Sequence, residues 1–168
     1  MTIDITTEQD VTARVWQLLH SVPDPEVPVL SVIDLGIVRG VEAKGSHGVV
    51  VTITPTYSGC PAMDMIAMNI KMAVLAAGLA QVEIKTVLSP AWTTDWMTPA
   101  GKEKLLAYGI APPVGRALDE PYLEDLQPAC PQCGSTITEL VSQFGSTACK
   151  ALFVCRACGE PFDYFKCH

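Results

Sequence analysis

Four cysteines towards the C-terminal end of this chain are spaced to grip one metal ion. Cys130-Pro-Gln-Cys133 and Cys155-Arg-Ala-Cys158 are each a C-x2-C pair, the tightest loop in which two thiolates turn towards a common centre. Two such loops supply four sulfurs, the donor set of a tetrahedral zinc site. The 21 residues between Cys133 and Cys155 suit a zinc ribbon, and Gly134 and Gly159 let the backbone turn around sulfur. Zinc held by four sulfurs is coordinatively closed, so its expected role is structural. Iron in the same geometry would make a rubredoxin-like electron carrier, and spacing alone does not separate the two ions. Cys149 and Cys167 are surplus. They read either as ordinary ribbon thiols or as auxiliary ligands, together with His168.

A fifth thiol has a different setting. Cys60 lies in Thr54-Pro-Thr-Tyr-Ser-Gly-Cys-Pro61, where a strand is expected to end and a helix to begin. Gly59 frees the backbone before it and Pro61 suits the first helical turn after it. The positive end of a helix favours thiolate over thiol, and a thiolate there can attack an electrophile or hold a soft metal. A buried, inert thiol is the competing reading. No histidine base is local, since His20 ends the first helix and His47 sits in a hairpin turn. One thiolate cannot hold an iron–sulfur cluster, which usually takes four protein sulfurs. Either a homodimer brings two Cys60 side chains together, or Asp24, Glu26 or Asp34 adds oxygen to a transient ion. Each carboxylate also reads as a loop cap or a solvated charge.

Composition narrows the partners. The chain has 168 residues, a formal net charge of -7 and 49% hydrophobic residues, with a mean hydropathy of +0.29. A packed core is affordable and wholesale disorder is excluded. No basic stripe exists to neutralise phosphates, so nucleic acid is not an expected partner, nor is an anionic membrane surface. The N-terminal residues are acidic and polar where a signal peptide is basic and then apolar, and no apolar run is long enough to cross a bilayer. A cytoplasmic location is expected. There, cysteines more often bind metal than form disulfides, and seven of them fit a closed disulfide set poorly.

The elements that must position these residues follow from periodicity. Thr6, with Gln9 three residues on, is placed to cap a first helix carrying Val11, Val15, Leu18 and Leu19 and stopping near Ser21. Asp24-Pro-Glu-Val-Pro28 is a rigid acidic loop. Residues 37–43 and 49–54 read as a hairpin around Lys44-Gly-Ser-His-Gly48. Residues 62–77 read as a helix apolar almost all round, hence well buried; the methionines on it, Met63, Met65, Met68 and Met72, read as core or as the lining of a partner surface. Residues 82–88 alternate as a third strand, and a short helix starts at Thr98 or Pro99. Between these two, Trp92 and Trp96 are expected as a core clamp, with an exposed recognition patch as the alternative. The fold class is α+β: a small α-β-β-α-β domain followed by a zinc-ribbon domain. The expected division is 1–112 for the first domain, 113–128 for an acidic, Pro-containing linker, and 129–168 for the ribbon, with strands around Leu140-Val141 and Leu152-Phe153-Val154.

Four of these segments, in order, carry a resemblance. Asp24-Pro-Glu26, Asp34-Leu-Gly36, Thr52-Ile-Thr-Pro-Thr-Tyr-Ser-Gly-Cys-Pro61 and Ser89-Pro-Ala-Trp92 together resemble the SufT-like metal–sulfur cluster assembly domain family, over residues 7 to 110. The tail, from Gln143-Phe-Gly-Ser-Thr-Ala-Cys-Lys150 through Cys155-Arg-Ala-Cys158 to Lys166, is similar to the PaaD (PaaJ) accessory proteins encoded with the phenylacetyl-CoA epoxidase system. That resemblance implies a non-enzymatic maturation factor in aerobic phenylacetate breakdown. It implies that Cys60 is the reactive cysteine, binding or relaying iron or a cluster, and that Cys130, Cys133, Cys155 and Cys158 are the structural zinc ligands. The clients it implies are the iron–sulfur reductase and di-iron oxygenase components. A rubredoxin-like electron-transfer subunit and a non-catalytic scaffold of the oxygenase complex are the competing functions.

Overall fold

The computed structural model describes residues 7–114 and 122–166. The chain forms two compact units, Met1–Trp92 and Thr93–His168. Thr6, Cys167, His168 and residues 115–121 of the expected linker lie outside the described residues.

In the first unit, α1 (Glu8–Leu19) is capped by Thr7, whose hydroxyl oxygen accepts from the Asp10 amide at 3.2 Å. The cap thus sits one residue later than the Thr6–Gln9 reading. Val11, Val15 and Leu19 fill one face and are buried, as the helical period requires. The hairpin is antiparallel, β1 (Val38–Lys44) with β2 (Gly48–Ile53), pairing Val41 with Val51. β2 is buried over nearly its whole length, so it is the central strand. The chain then crosses over through α2 (Ala62–Ala76) to β3 (Gln81–Thr86), which pairs parallel with β2 and sets Val51 beside Ile84. Parallel neighbours need such a crossover, and a helix supplies it.

α2 corrects one expectation. Only Ala62, Ile66, Ile70 and Val74 are buried. Met65, Met68, Met72 and Leu75 are 54%, 56%, 60% and 38% exposed. A three-stranded sheet with one companion helix covers one face of a crossover helix. Apolar composition alone therefore does not bury it all round.

In the second unit, α3 (Pro99–Tyr108) is capped by the Thr98 hydroxyl, which accepts from the Gly101 amide at 2.9 Å. It ends at Gly109, whose φ of 93° is open to glycine and costly for other residues. The next two residues form β4 (Ile110–Ala111). It adds to the edge of a four-stranded sheet in the order β4-β7-β6-β5, with β5 (Thr138–Ser142), β6 (Lys150–Cys155) and β7 (Pro161–Phe165). Residues 93–112 thus group with the ribbon, whereas composition puts the linker at 113–128. Phe153 and Tyr164 are fully buried and meet edge to face at 5.6 Å between ring centroids. The Tyr164 hydroxyl accepts from the Val114 amide at 3.3 Å. Leu126, at the end of the expected linker, is buried in the same core.

Candidate metal centre and the Cys60 loop

The two C-x2-C pairs fold into the same local turn twice. The Gly134 amide donates to the Cys130 carbonyl and the Gly159 amide to the Cys155 carbonyl, both at 2.8 Å. The Cys130 amide donates to the Ser135 carbonyl and the Cys155 amide to the Glu160 carbonyl, both at 2.9 Å. Gly134 and Gly159 sit at φ 75° and 81°, a left-handed position that closes each turn. The turns present their sulfurs to one point. Cys130 and Cys158 approach to 3.8 Å, Cys133 and Cys155 to 3.5 Å, and all four ligand atoms lie within 4.8 Å of one another. A tetrahedron with zinc–sulfur bonds of about 2.3 Å has edges of about 3.8 Å, so the tetrad fits the ion. Disulfide sulfurs would stand about 2.05 Å apart, which neither close pair does.

The thiols are not equivalent. The Cys158 amide, against desolvation and with help from the Ala157 amide and neighbouring sulfurs, lowers Cys155 to about 7. Hydrogen bonding from the Glu160 backbone pulls Cys158 down, but desolvation and the three other sulfurs outweigh it and push it up to about 12. The Ser135 backbone likewise lowers Cys133, and hydrogen bonding with Cys155 plus desolvation leave it above its ordinary value. Crowded sulfurs hold protons until a cation replaces them.

Cys149 stays out of the tetrad. It is buried, its sulfur is 3.0 Å from the Thr147 hydroxyl, and its carbonyl accepts from the Lys166 amide at 3.0 Å. That is the packing of an ordinary ribbon thiol.

Cys60 is half-buried, just ahead of α2. The topology explains what gathers around it. β2 runs into the Cys60 loop, and β3, being parallel, ends at the same edge. β1, being antiparallel, starts there. Three hydrogen bonds tie that edge: Thr54 amide to Ile37 carbonyl, Val87 amide to Ile53 carbonyl (both 2.9 Å), and Trp92 Nε1 to Leu35 carbonyl at 2.8 Å. The Asp34-Leu-Gly, Thr54–Pro61 and Ser89–Trp92 segments therefore meet at one end of the sheet. Ligand sites of α/β sheets favour this carboxyl edge. The Thr54 hydroxyl, at the base of the loop, is buried and makes no hydrogen bond among the described residues. Trp92 is 3% exposed and acts as core, while Trp96 is half-buried in the other unit.

Asp24 and Asp34, the expected auxiliary carboxylates, bond within their own loops. Asp24 Oδ1 accepts from the Glu26 and Val27 amides at 2.9 and 2.7 Å. Asp34 Oδ2 accepts from the Ser31 amide and hydroxyl, each at 2.9 Å. Glu26 is half-buried. Among the described residues, the four ribbon cysteines alone converge as three or more metal-ligating groups; Cys60 with Asp24, Glu26 and Asp34 does not. His47 precedes β2 whereas Cys60 follows it, about 20 Å along a six-residue strand, so it offers Cys60 no base. Sequence reading missed the convergence of the loops at one edge, although the parallel return of β3 through a helix was its signal.

A crossover domain with a lone thiol at its carboxyl edge and a ribbon whose four cysteines can hold a metal ion define a two-unit protein. Residues 12–86 match the family of iron-sulfur cluster assembly proteins, and residues 118–166 match the PaaD zinc beta ribbon domain. The chain is 50% identical over 154 residues, 92% of each protein, to a putative 1,2-phenylacetyl-CoA epoxidase component of Escherichia coli. It belongs to the PaaD family. A second relative, "Fe-S protein maturation auxiliary factor" of Porphyromonas gingivalis, is 35% identical over 63% of this chain and 94% of its own length. Among solved structures, a domain of unknown function (DUF59) from Bacillus anthracis superposes with a TM-score of 0.55 at 26% identity, covering 58% of this chain and 93% of that one. No helix among the described residues is long and apolar enough to cross a membrane.

Proposed function

We propose that this protein is a non-catalytic accessory factor of a phenylacetyl-CoA epoxidase system in the cytoplasm, and that it helps load iron or an iron–sulfur cluster into the reductase or oxygenase component through Cys60. The observation that carries the reading is the half-buried Cys60 at the carboxyl edge of β2, within the segment that matches iron-sulfur cluster assembly proteins. A single thiolate contributes one bond to its cargo. The remaining ligands must come from the donor or the client, so transfer is ligand exchange: client ligands form bonds to the ion and the Cys60 bond breaks last. Weak, incomplete ligation suits a relay, because a closed site would retain the metal.

The ribbon has the opposite character. Its four sulfurs hold zinc as a structural ion and make the second unit a rigid docking element. A net charge of -7 favours a basic surface on the client and acts mainly on association rate and specificity. The test is a Cys60→Ser chain co-expressed with the client. Client iron content and oxygenase activity should fall while the variant keeps its fold and its zinc. Unchanged client iron would falsify the relay.

A further inference from the structure

The solvent face of α2 has a pattern that its own chain does not use. Met65, Met68, Met72 and Leu75 are exposed and are spaced three, four and three residues apart. That is the a/d seam of a coiled coil, on the side opposite the buried Ala62, Ile66, Ile70 and Val74. Pro61, also exposed, extends the series by one position at the Cys60 end. In this frame Asp64 and Lys71, both exposed, occupy the same flank, two turns apart. The other flank carries the uncharged Asn69 and Ala76.

The flanking charges choose the occupant. When two copies of a helix run antiparallel, each flank meets the same flank of its partner. Asp64 then faces the partner's Lys71, and Lys71 faces the partner's Asp64, giving two reciprocal ion pairs. In a parallel pair the charged flank meets the uncharged one and makes none. Charges beside an a/d seam set orientation in this way, and an identical patch on both copies is what a two-fold interface requires.

We propose that the methionine seam of α2 is the interface of an antiparallel, two-fold homodimer in which Leu75 of each copy lies over the partner's Cys60. The register follows from the ion pairs. An axis midway between positions 64 and 71 passes beside Met68, which packs on its own counterpart. Met65 enters between the partner's Met68 and the partner's Met72. Position 75 falls opposite the partner's Cys60 and the partner's Pro61. The two thiols end up at opposite ends of the pair, about 22 Å apart along the helix axis, so they do not share one cluster. Each copy instead covers the other's cargo site. The seam spans two heptads, so the dimer is weak and reversible, and dissociation uncovers Cys60.

Sedimentation velocity on the full, zinc-loaded chain tests this across a concentration series. The weight-average mass should rise from that of one chain towards that of two. Met68→Glu sets like charges on the axis and should abolish the rise, with zinc content and circular dichroism unchanged. Asp64→Lys and Lys71→Asp should each weaken the dimer, and the double swap should restore it. The two single variants, mixed, should pair with each other in preference to themselves. Alkylation of Cys60, followed peptide by peptide, should slow as wild-type concentration rises and stay constant in Met68→Glu. A wild-type chain that is monomeric at every concentration overturns the proposal, including the case in which another protein occupies the seam. So does a double swap that fails to restore dimers.

Discussion

The ribbon unit and the assembly unit use cysteine in opposite ways. In Thr93–His168 four sulfurs converge within 4.8 Å, on turns made by neighbours in sequence. In Met1–Trp92 one sulfur stands at the mouth of a helix, and its surroundings come from three segments spread over the unit. On the function proposed above, closure makes the first site a stabiliser, because a full ligand shell leaves no position for exchange, and incompleteness suits the second to transfer. Removing metal should therefore damage the ribbon's fold, whereas removing Cys60 should damage only what the protein does.

Loss of the ion is the most damaging change and tests that contrast directly. Stripping zinc with a strong chelator, or replacing the buried Cys155 with serine, should unfold the ribbon sheet and leave α1–β3 folded. Zinc binding to such sites is worth on the order of 10 kcal/mol. Residue-resolved hydrogen exchange reads both units at once, and equal loss of protection in the first unit would collapse the distinction.

Acidity should act on the same unit next most strongly. Zinc entry must expel protons from Cys158 and Cys133, whose thiols are held up. Affinity therefore rises with pH and falls as pH is lowered, by about tenfold per proton per pH unit. A competition titration with a zinc dye at two pH values measures the slope; a flat profile would show that the thiols ionise before metal arrives.

The apolar side of the comparison predicts a smaller effect of opposite location. Ile66→Ala, beneath α2 at 1% exposure, should cost the first unit about 2–5 kcal/mol and spare the ribbon. Denaturant unfolding followed by tryptophan emission, with zinc release as a separate signal, should move only the first transition. In the ribbon, Gly145→Ala should cost about 1–3 kcal/mol, because an added Cβ would stand 2.6 Å from Asp163 Oδ1. No shift in the ribbon transition would mean that Asp163 swings aside.

Cys60→Ser should do least to stability, within about 1 kcal/mol of wild type, since a half-buried thiol contributes little packing. A large loss of stability there would make Cys60 a core residue and sharpen the contrast the other way.

Much of this was legible in order along the chain. Both knuckles, with their glycines, could be read from spacing, because each turn is closed by hydrogen bonds between residues four or five apart. The starts of α2 and α3 followed from Pro61 and from Thr98 or Pro99, local signals for where a helix begins. Asp24 and Asp34 carried an ambiguous signal. As types they suit metal, and folded they cap their own loops, since an acceptor two or three residues from open amides is satisfied locally. The cap at Thr7 instead of Thr6 is a difference of one residue, between adjacent threonines of equal propensity.

Order along the chain was enough for whatever depends on near neighbours: the metal tetrad, the helix ends, the hairpin and the family resemblance of four ordered motifs. Folding in three dimensions settled which edge β3 joins, and so that the Cys60 loop, Leu35 and Trp92 stand together. It attached Ile110 and Ala111 to the ribbon sheet, and it left the methionines of α2 facing water. Each of these depends on pairing between residues far apart in the chain. Such pairing is governed by the area one surface can cover on another, a quantity that no window of neighbouring residues contains.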